Sequence, residues 1–155
     1  MEVLNLERSI NASQVFNNAN RLIEAYHTAL APLCREAALP PLAMDILIFF
    51  ANNPGMDTAM DVCRCRGWKP GIVSVHIDRL VNEGLLERRA DPSDRRKTRL
   101  VCTAAAQPII EKGLECQRRF GARLTVGMTA EDIEAFRRCI AIFDANIADI
   151  RKNGL

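Results

Sequence analysis

The sequence has 155 residues, of which 48% are hydrophobic and 26% charged, and its net charge is +2. This balance is typical of one globular domain with a buried core and excludes a disordered or fibrous chain. No apolar run is long enough to span a membrane, and residues 1–5 lack the basic start of a signal peptide, so we expect a cytoplasmic protein without a membrane partner.

Basic residues are concentrated in the middle of the chain. Between residues 61 and 101, ten Lys or Arg stand against six Asp or Glu, whereas residues 1–60 carry three against six. The middle third is therefore where a polyanion would bind.

The first two predicted elements are helices. Apolar residues recur at steps of three and four over residues 9–36, which predicts a long amphipathic helix. A Pro40-Pro41 pair then opens a helix over residues 42–52. This second helix is apolar nearly all round, so we expect it to be buried.

The next elements are typical of a helix-turn-helix followed by a β-hairpin. Thr58 and Asp61 have the spacing of a capping box, and Gly67 supplies a turn. The hydrophobic period then changes from 3.6 to 2, and residues 90–97 are rich in charge and turn formers, as in a wing. We therefore expect helices over 57–66 and 70–83, and strands over 85–89 and 98–102.

Two helices close the chain. The first covers residues 104–124, with a bend expected near Gly113, and the second starts at Thr129, spaced from Asp132 as in a capping box. The apolar residues of the second helix recur at alternating steps of three and four, which makes a heptad stripe. This stripe packs either on the protein's own core or on a second copy of the chain, and two long terminal helices around a small motif favour the second copy. The expected dimer interface consists of Ile133, Phe136, Ile140, Phe143, Ile147 and Ile150, with Phe16 and Leu22 of the first helix.

Residues 78–89 read DRLVNEGLLERR and residues 91–96 read DPSDRR. The D-x-x-D-x-R spacing of Asp91, Asp94 and Arg96 after this segment resembles the wing signature of the MarR family of winged-helix regulators. The layout of the flanking helices is similar too, so the resemblance covers nearly the whole chain. The chain departs from the family where residues 102–106, CTAAA, replace L-T-x-x-G.

The resemblance implies a mainly α fold with a small β-hairpin wing, in which a winged helix-turn-helix is flanked by long N- and C-terminal dimerisation helices. The whole chain, 1–155, is then one domain. Residues 40–103 would bind DNA, and residues 9–36 and 104–153 would form the dimerisation region. The implied function is a transcription regulator: a homodimer that binds a pseudo-palindromic operator in double-stranded DNA and represses until a small effector releases it.

A helix in the major groove meets base edges with its N-terminal half, and Arg residues of a wing enter the minor groove. Val75 stands where many relatives carry a polar residue, and its side chain can pack on a thymine methyl group. The candidate DNA contacts are Lys69, Gly71, Ser74, Val75 and His76 in the recognition helix, Arg64, Arg66 and Arg88 at phosphates, and Arg95, Arg96 and Lys97 in the wing.

Acidic residues in a DNA-facing loop are unfavourable unless they have a structural role. We hypothesise that Asp91 or Asp94 pairs with Arg96 and fixes the wing, which leaves Arg95 to reach DNA.

Relatives in the family bind aromatic or phenolic acids between the dimer helices and the winged region. The candidate lining is Tyr26, His27, Met44, Phe49 and Trp68, for which core or interface packing is the alternative.

The spacing of the six cysteines matches no metal-binding motif, so the sequence predicts neither a metal site nor a cofactor. Cys63 and Cys65 are two apart on a helix and so point to nearly opposite sides. Packing as small hydrophobic residues is the default for these thiols. The alternative is a redox-sensing repressor, for which Cys34 and Cys102 are the candidates.

No motif of a common enzyme class is present, so we expect no enzyme. Two further alternatives stay open, because a fold does not determine a function. One is an architectural DNA binder with little sequence preference. The other is a winged helix used for protein contacts, against which the basic run from Arg95 to Arg99 speaks.

Overall fold

The computed structural model describes residues 11–94 and 96–155. It confirms the predicted mainly helical fold with one two-stranded antiparallel hairpin. The predicted start of the first helix, residues 9 and 10, lies outside the described residues. A 3-10 turn, Ala104–Ala106, leads into the fifth helix. The elements are α1 Ala12–Glu36, α2 Pro41–Asn52, α3 Ala59–Arg66, α4 Pro70–Asn82, β1 Leu86–Ala90, β2 Thr98–Cys102, α5 Gln107–Leu124 and α6 Ala130–Asn153.

Local capping explains where α3 and α6 begin. Thr58 and Thr129 each accept a hydrogen bond from the backbone N–H three residues on, and the carboxylates of Asp61 and Asp132 accept from the two threonine N–H groups. Both predicted capping boxes are confirmed. Because Gly67 adopts a left-handed conformation with φ 68°, α3 stops there and the chain turns into α4.

The chain forms two compact units, one ending at Gln117 and the other covering Arg118–Leu155. The core of the first unit is built around α2, whose residues 43–50 are all buried, as predicted. α4 turns Val73, Ile77 and Leu80 towards this core, as the helical spacing of these apolar residues requires. The second unit contains α6, and none of the described residues of that helix is buried.

Gly113 serves close packing in the middle of α5, where we expected a bend. It is buried, and a Cβ atom on it would lie 2.5 Å from Cδ1 of Ile48. The small residue therefore lets α5 approach α2 directly.

One backbone hydrogen bond links the hairpin to a segment outside its two strands. Leu86 pairs with Cys102 and Ala90 with Thr98 across the ladder. Leu100 on β2 then donates its N–H to the carbonyl of Asp57 at 2.7 Å. The middle of β2 is thus tied to the loop that precedes α3. None of the helices formed by the described residues is long and apolar enough to cross a bilayer.

Candidate nucleic-acid interface

The N-terminal half of α4 is open to solvent. Gly71, Ser74 and Val75 are exposed, and Lys69 is exposed at the N-cap position just before the helix. These four predicted contact residues therefore lie on one accessible stretch of the second helix of the helix-turn-helix. A helix end of this kind is what a major groove accepts.

His76 is the least accessible of the predicted contacts on α4. It is half-buried, and its Nδ1 atom is enclosed without a hydrogen-bond partner among the described residues. Burial lowers the pKa of His76, and the nearby Arg79 guanidinium lowers it further. This shift favours the neutral imidazole.

The side chains of the three arginines predicted to contact phosphate differ in their exposure and in their ion-pair partners. Arg64 is exposed, and its Nη2 lies 3.6 Å from Oδ1 of Asp61. Arg88 on β1 pairs with Asp78 on α4, so it links the hairpin to the recognition helix. Both guanidinium groups remain at the surface.

Arg66 differs from these two, because a buried acidic residue holds its guanidinium group. Its Nε donates to Oδ2 of the buried Asp45 at 3.0 Å, and its Nη2 donates to Oδ1 at 3.2 Å. The guanidinium carbon also lies 5.2 Å from the centre of the Phe49 ring. A bidentate pair with a buried carboxylate stabilises the module, and its loss would leave that carboxylate unpaired.

Asp91 anchors the base of the wing. Its Oδ1 accepts from the N–H of Ser93 at 2.7 Å and from the Ser93 hydroxyl at 2.6 Å, while its Oδ2 accepts from Nε of Arg99 at 2.8 Å. These hydrogen bonds, with those from Ser93 the strongest cause, hold the pKa of Asp91 far below its usual range. The carboxylate is therefore ionised at neutral pH and fixes the turn.

Asp94 lies next to Arg96, one of the two pairings that we hypothesised. Oδ1 of Asp94 accepts from the backbone N–H of Arg96 at 3.0 Å and lies 3.5 Å from its Nε. The Arg96 side chain stays 93% exposed, and Lys97 is exposed beside it. Arg95 lies outside the described residues. Two cations of the wing tip thus remain available to a polyanion.

Sequence reasoning missed the role of Arg99, which joins two acidic residues. Its Nε reaches Asp91, and its Nη1 donates to Oδ2 of Asp57 at 2.9 Å. In the hairpin Arg99 stands directly opposite Arg89. Like charges in that position are unfavourable, and the two acidic partners of Arg99 offset this, but the sequence alone did not define the register.

The five residues proposed to line an effector pocket lie in different environments. Met44 and Phe49 belong to the fully buried core, which corrects their assignment to an open pocket. The Tyr26 hydroxyl accepts from Nε2 of Gln117 at 2.7 Å, and burial raises its pKa. His27 lies beside Tyr26 with 6.2 Å between ring centres, and Trp68 packs partly against the core.

Two surface clefts within the first unit have linings that include none of these five residues. One has a volume of about 470 Å³ and lies between the end of α2, β2 and α5, where Phe50, Asp57 and Cys102 contribute to it. The other, of about 220 Å³, is lined by residues of α1 and α5 that include Leu33 and Lys112.

The two candidate redox thiols are poorly placed for oxidation. Burial raises the pKa of Cys34, and the neighbouring Cys116 raises it further. Burial also raises the pKa of Cys102. Because the thiolate is the reactive form, both positions are disfavoured as sensors, whereas Cys65 and Cys139 are exposed. The described residues contain no group of three or more His, Cys, Asp or Glu side chains arranged to hold a metal ion.

Comparison with known proteins gives a consistent result. The model of the MarR family matches residues 39–97. A MarR protein from Peptoclostridium difficile superposes with a TM-score of 0.74 at 17% identity, covering 95% of this chain and 92% of that one. A MarR-family regulator from Silicibacter pomeroyi gives 0.71 at 22% identity, covering 83% and 86%.

A third similar structure is that of BpsR from Bordetella bronchiseptica, whose DNA binding is regulated by 6-hydroxynicotinic acid. It has a TM-score of 0.65 at 18% identity and covers 88% of this chain and 97% of its own. At these identities the structural likeness shows a shared fold.

Proposed function

We propose that this chain, whose residues 39–97 match the model of the MarR family, is a sequence-specific transcription regulator that binds double-stranded DNA. The observation that carries the proposal is that one winged-helix region presents two exposed surfaces that suit DNA. The exposed start of α4 suits a major groove, and the exposed cations Arg96 and Lys97 suit the flanking minor groove. The ion pair between Arg88 and Asp78 joins the two elements that carry them. In this proposal residues 40–103 bind DNA in the cytoplasm.

We further propose a homodimer held by residues 9–36 and 104–153. The heptad stripe of α6 supports it, because Phe136, Ile140, Phe143, Ile147 and Ile150 are all exposed in the single chain. Phe16 and Leu22 of α1 are exposed as well. A two-fold dimer would place two recognition helices about 34 Å apart, one helical turn of DNA, and so read a pseudo-palindromic operator.

The regulatory part of the proposal is repression that a small effector relieves. The regulation of BpsR by 6-hydroxynicotinic acid supports a small aromatic effector by analogy. The effector would act by binding one arrangement of the two recognition helices more tightly than the other. The alternative of a thiol switch at Cys34 or Cys102 is less favoured, because burial raises the pKa of both thiols.

The test is selection of binding sites from a random duplex library with the purified protein. We expect an enriched two-fold site that Arg96→Ala binds much more weakly and whose base preference Ser74→Ala alters. Lys152→Ala is the control for the loss of one positive charge, because it removes an exposed cation that is outside residues 40–103 and is not one of the apolar interface residues of α6, and it should leave the selection unchanged.

Other outcomes would replace the proposal. Salt-sensitive binding to every duplex without enrichment indicates an architectural DNA binder. Absence of binding to any duplex at low salt indicates a winged helix used for protein contacts.

A further inference from the structure

The exposed part of the recognition helix carries two apolar side chains. Ile72 is 44% exposed and Val75 is 64% exposed, three positions apart and so on one side of α4. The helix places Val73, Ile77 and Leu80 in the core, so these two are not needed for packing. Their exposure leaves an apolar surface on the face that the proposed function turns towards DNA.

The other residues at the N-terminal end of α4 offer few polar side chains that could hydrogen-bond to a base. Pro70 and Gly71 have no polar side chain, and an added Cβ on Gly71 would meet open space. Ser74 is the remaining exposed residue, and its hydroxyl can donate to or accept from several bases. Residues 70–76 contain no Arg, Lys, Asn or Gln, the side chains that read guanine or adenine by two hydrogen bonds, and the nearest cation is Lys69 at the N-cap.

The charged residues further along α4 already have partners. Asp78 pairs with Arg88 of β1. Arg79 donates through Nε to Glu83 at 2.8 Å and through Nη2 to the carbonyl of Ala38 at 2.6 Å. These contacts hold both side chains to the protein, so they are not free to replace the missing base-reading groups.

Resting on the proposed function, we infer that Val75 and Ile72 read the C5-methyl groups of thymines in the major groove. Thymine alone among the four DNA bases presents a methyl group there. An apolar side chain that covers it removes two hydrophobic surfaces from water. The half-site recognised by α4 therefore contains a thymine whose methyl group, and not its hydrogen-bonding edge, carries the preference.

The test replaces thymine by uracil, which removes that methyl group and keeps the base pairing. The probe is the duplex selected from the random library, with deoxyuridine at one selected thymine position at a time. We expect about a fourfold loss of affinity for each contacted methyl group, and about tenfold or more when both symmetry-related thymines are replaced. Val75→Ala should bind the thymine duplex more weakly and lose this sensitivity, as a double-mutant cycle requires.

Leu155→Ala is the control, because Leu155 is an exposed apolar residue that lies outside both the proposed DNA-binding region and the proposed dimerisation region. It should keep both the affinity and the sensitivity to uracil. Thermal unfolding of Val75→Ala, expected to match the parent protein, excludes a folding defect.

Equal affinity of the parent protein for the thymine and uracil duplexes would overturn the inference and leave the regulator function standing. Uracil sensitivity that persists in both Val75→Ala and Ile72→Ala would overturn the assignment to these residues. Failure to enrich any duplex would remove the proposed function and this inference together.

Discussion

Arg99 donates from Nε to Oδ2 of Asp91 at 2.8 Å, although the two residues stand at opposite ends of the wing turn. The same guanidinium reaches Asp57 at 2.9 Å, and Leu100 adds the backbone bond to the Asp57 carbonyl. Asp57 directly precedes Thr58, the N-cap of α3. One side chain thus holds the wing to the start of the helix-turn-helix.

The variant Asp57→Ala tests whether Arg99 acts by positioning the wing or only by its positive charge. Removing an acidic residue near a DNA-binding surface should strengthen binding if charge alone matters. We expect the opposite, a loss of about tenfold, or 1.4 kcal/mol, because Arg99 loses one of its two anchors and the wing shifts. The measurement is affinity for the selected duplex, together with protection of the minor groove where the wing lies.

Arg89→Gln is the control for Arg99→Gln. Arg89 stands opposite Arg99 in the hairpin, pairs with Glu87, and carries the same charge. We expect Arg99→Gln to cost more affinity than Arg89→Gln. Equal losses, with tighter binding by Asp57→Ala, would show that Arg99 is an ordinary phosphate contact.

Asp91 should make the stability of the protein depend on pH in a defined direction. Its pKa is lowered in the folded protein, whereas the unfolded chain has a pKa of about 3.9. Its contribution is therefore present above pH 4 and is lost as the pH falls through the lower folded value. Urea unfolding should show Asp91→Asn less stable than the parent at pH 7, with a smaller difference at pH 3. A difference that stays constant over this range would contradict the assignment.

Gly113→Ala should destabilise the protein by about 1–3 kcal/mol, because the new methyl group would clash with Ile48 in a packed core. Gly121→Ala in the same helix is the control. An added Cβ there meets open space, so better helix propensity should stabilise by up to about 1 kcal/mol. Denaturant midpoints measure both changes. The packing explanation also requires that Ile48→Val, which trims the clashing atom, recovers part of the loss in Gly113→Ala.

Arg66→Ala and Arg64→Ala should have different effects although both lie on α3. Arg66→Ala leaves the buried carboxylate of Asp45 unpaired and should cost about 2–3 kcal/mol of stability, less than for a fully buried pair because Arg66 is 32% exposed. Arg64→Ala should change stability by less than about 0.5 kcal/mol and weaken DNA binding. The measurements are the unfolding midpoints and the duplex affinities of both variants. If Arg64→Ala were the less stable variant, the assignment of Arg66 to stability and Arg64 to DNA binding would be wrong.

Thiol accessibility provides a further check. A raised pKa means less thiolate at a given pH, so Cys34 and Cys102 should react with a thiol reagent only slowly at pH 8. The exposed Cys65 and Cys139 should react first, and all six thiols should react after denaturation. Mass spectrometry of the labelled peptides identifies the order. Rapid labelling of Cys34 in the folded protein would return it to consideration as a redox sensor.

Features set by neighbouring residues were predictable from the sequence. Thr58 and Asp61 lie three residues apart, and the inward face of α4 follows from its helical period, so both could be predicted without tertiary information. The all-apolar character of α2 predicted its burial. The same argument already told against Met44 and Phe49 as pocket residues, since a side chain enclosed by the core cannot also line an open site.

Pairings between distant residues could not be predicted in this way. Arg66 finds Asp45 21 positions earlier, and Arg99 finds Asp57 42 positions earlier. Periodicity and charge counts treat every exposed-looking Arg alike, so Arg66 was assigned to phosphate. Gly113 shows the same limit, because close approach to Ile48 depends on how two helices meet and not on the sequence around either.

The uncovered apolar stripe of α6 has a consequence for how the protein works at low copy number. If two chains must meet to cover it, the dimer population below the dissociation constant falls with the square of the chain concentration, and apparent stability falls with dilution. Operator occupancy would then respond to the amount of protein more steeply than a monomer could. A modest change in synthesis or proteolysis would switch the promoter without any effector.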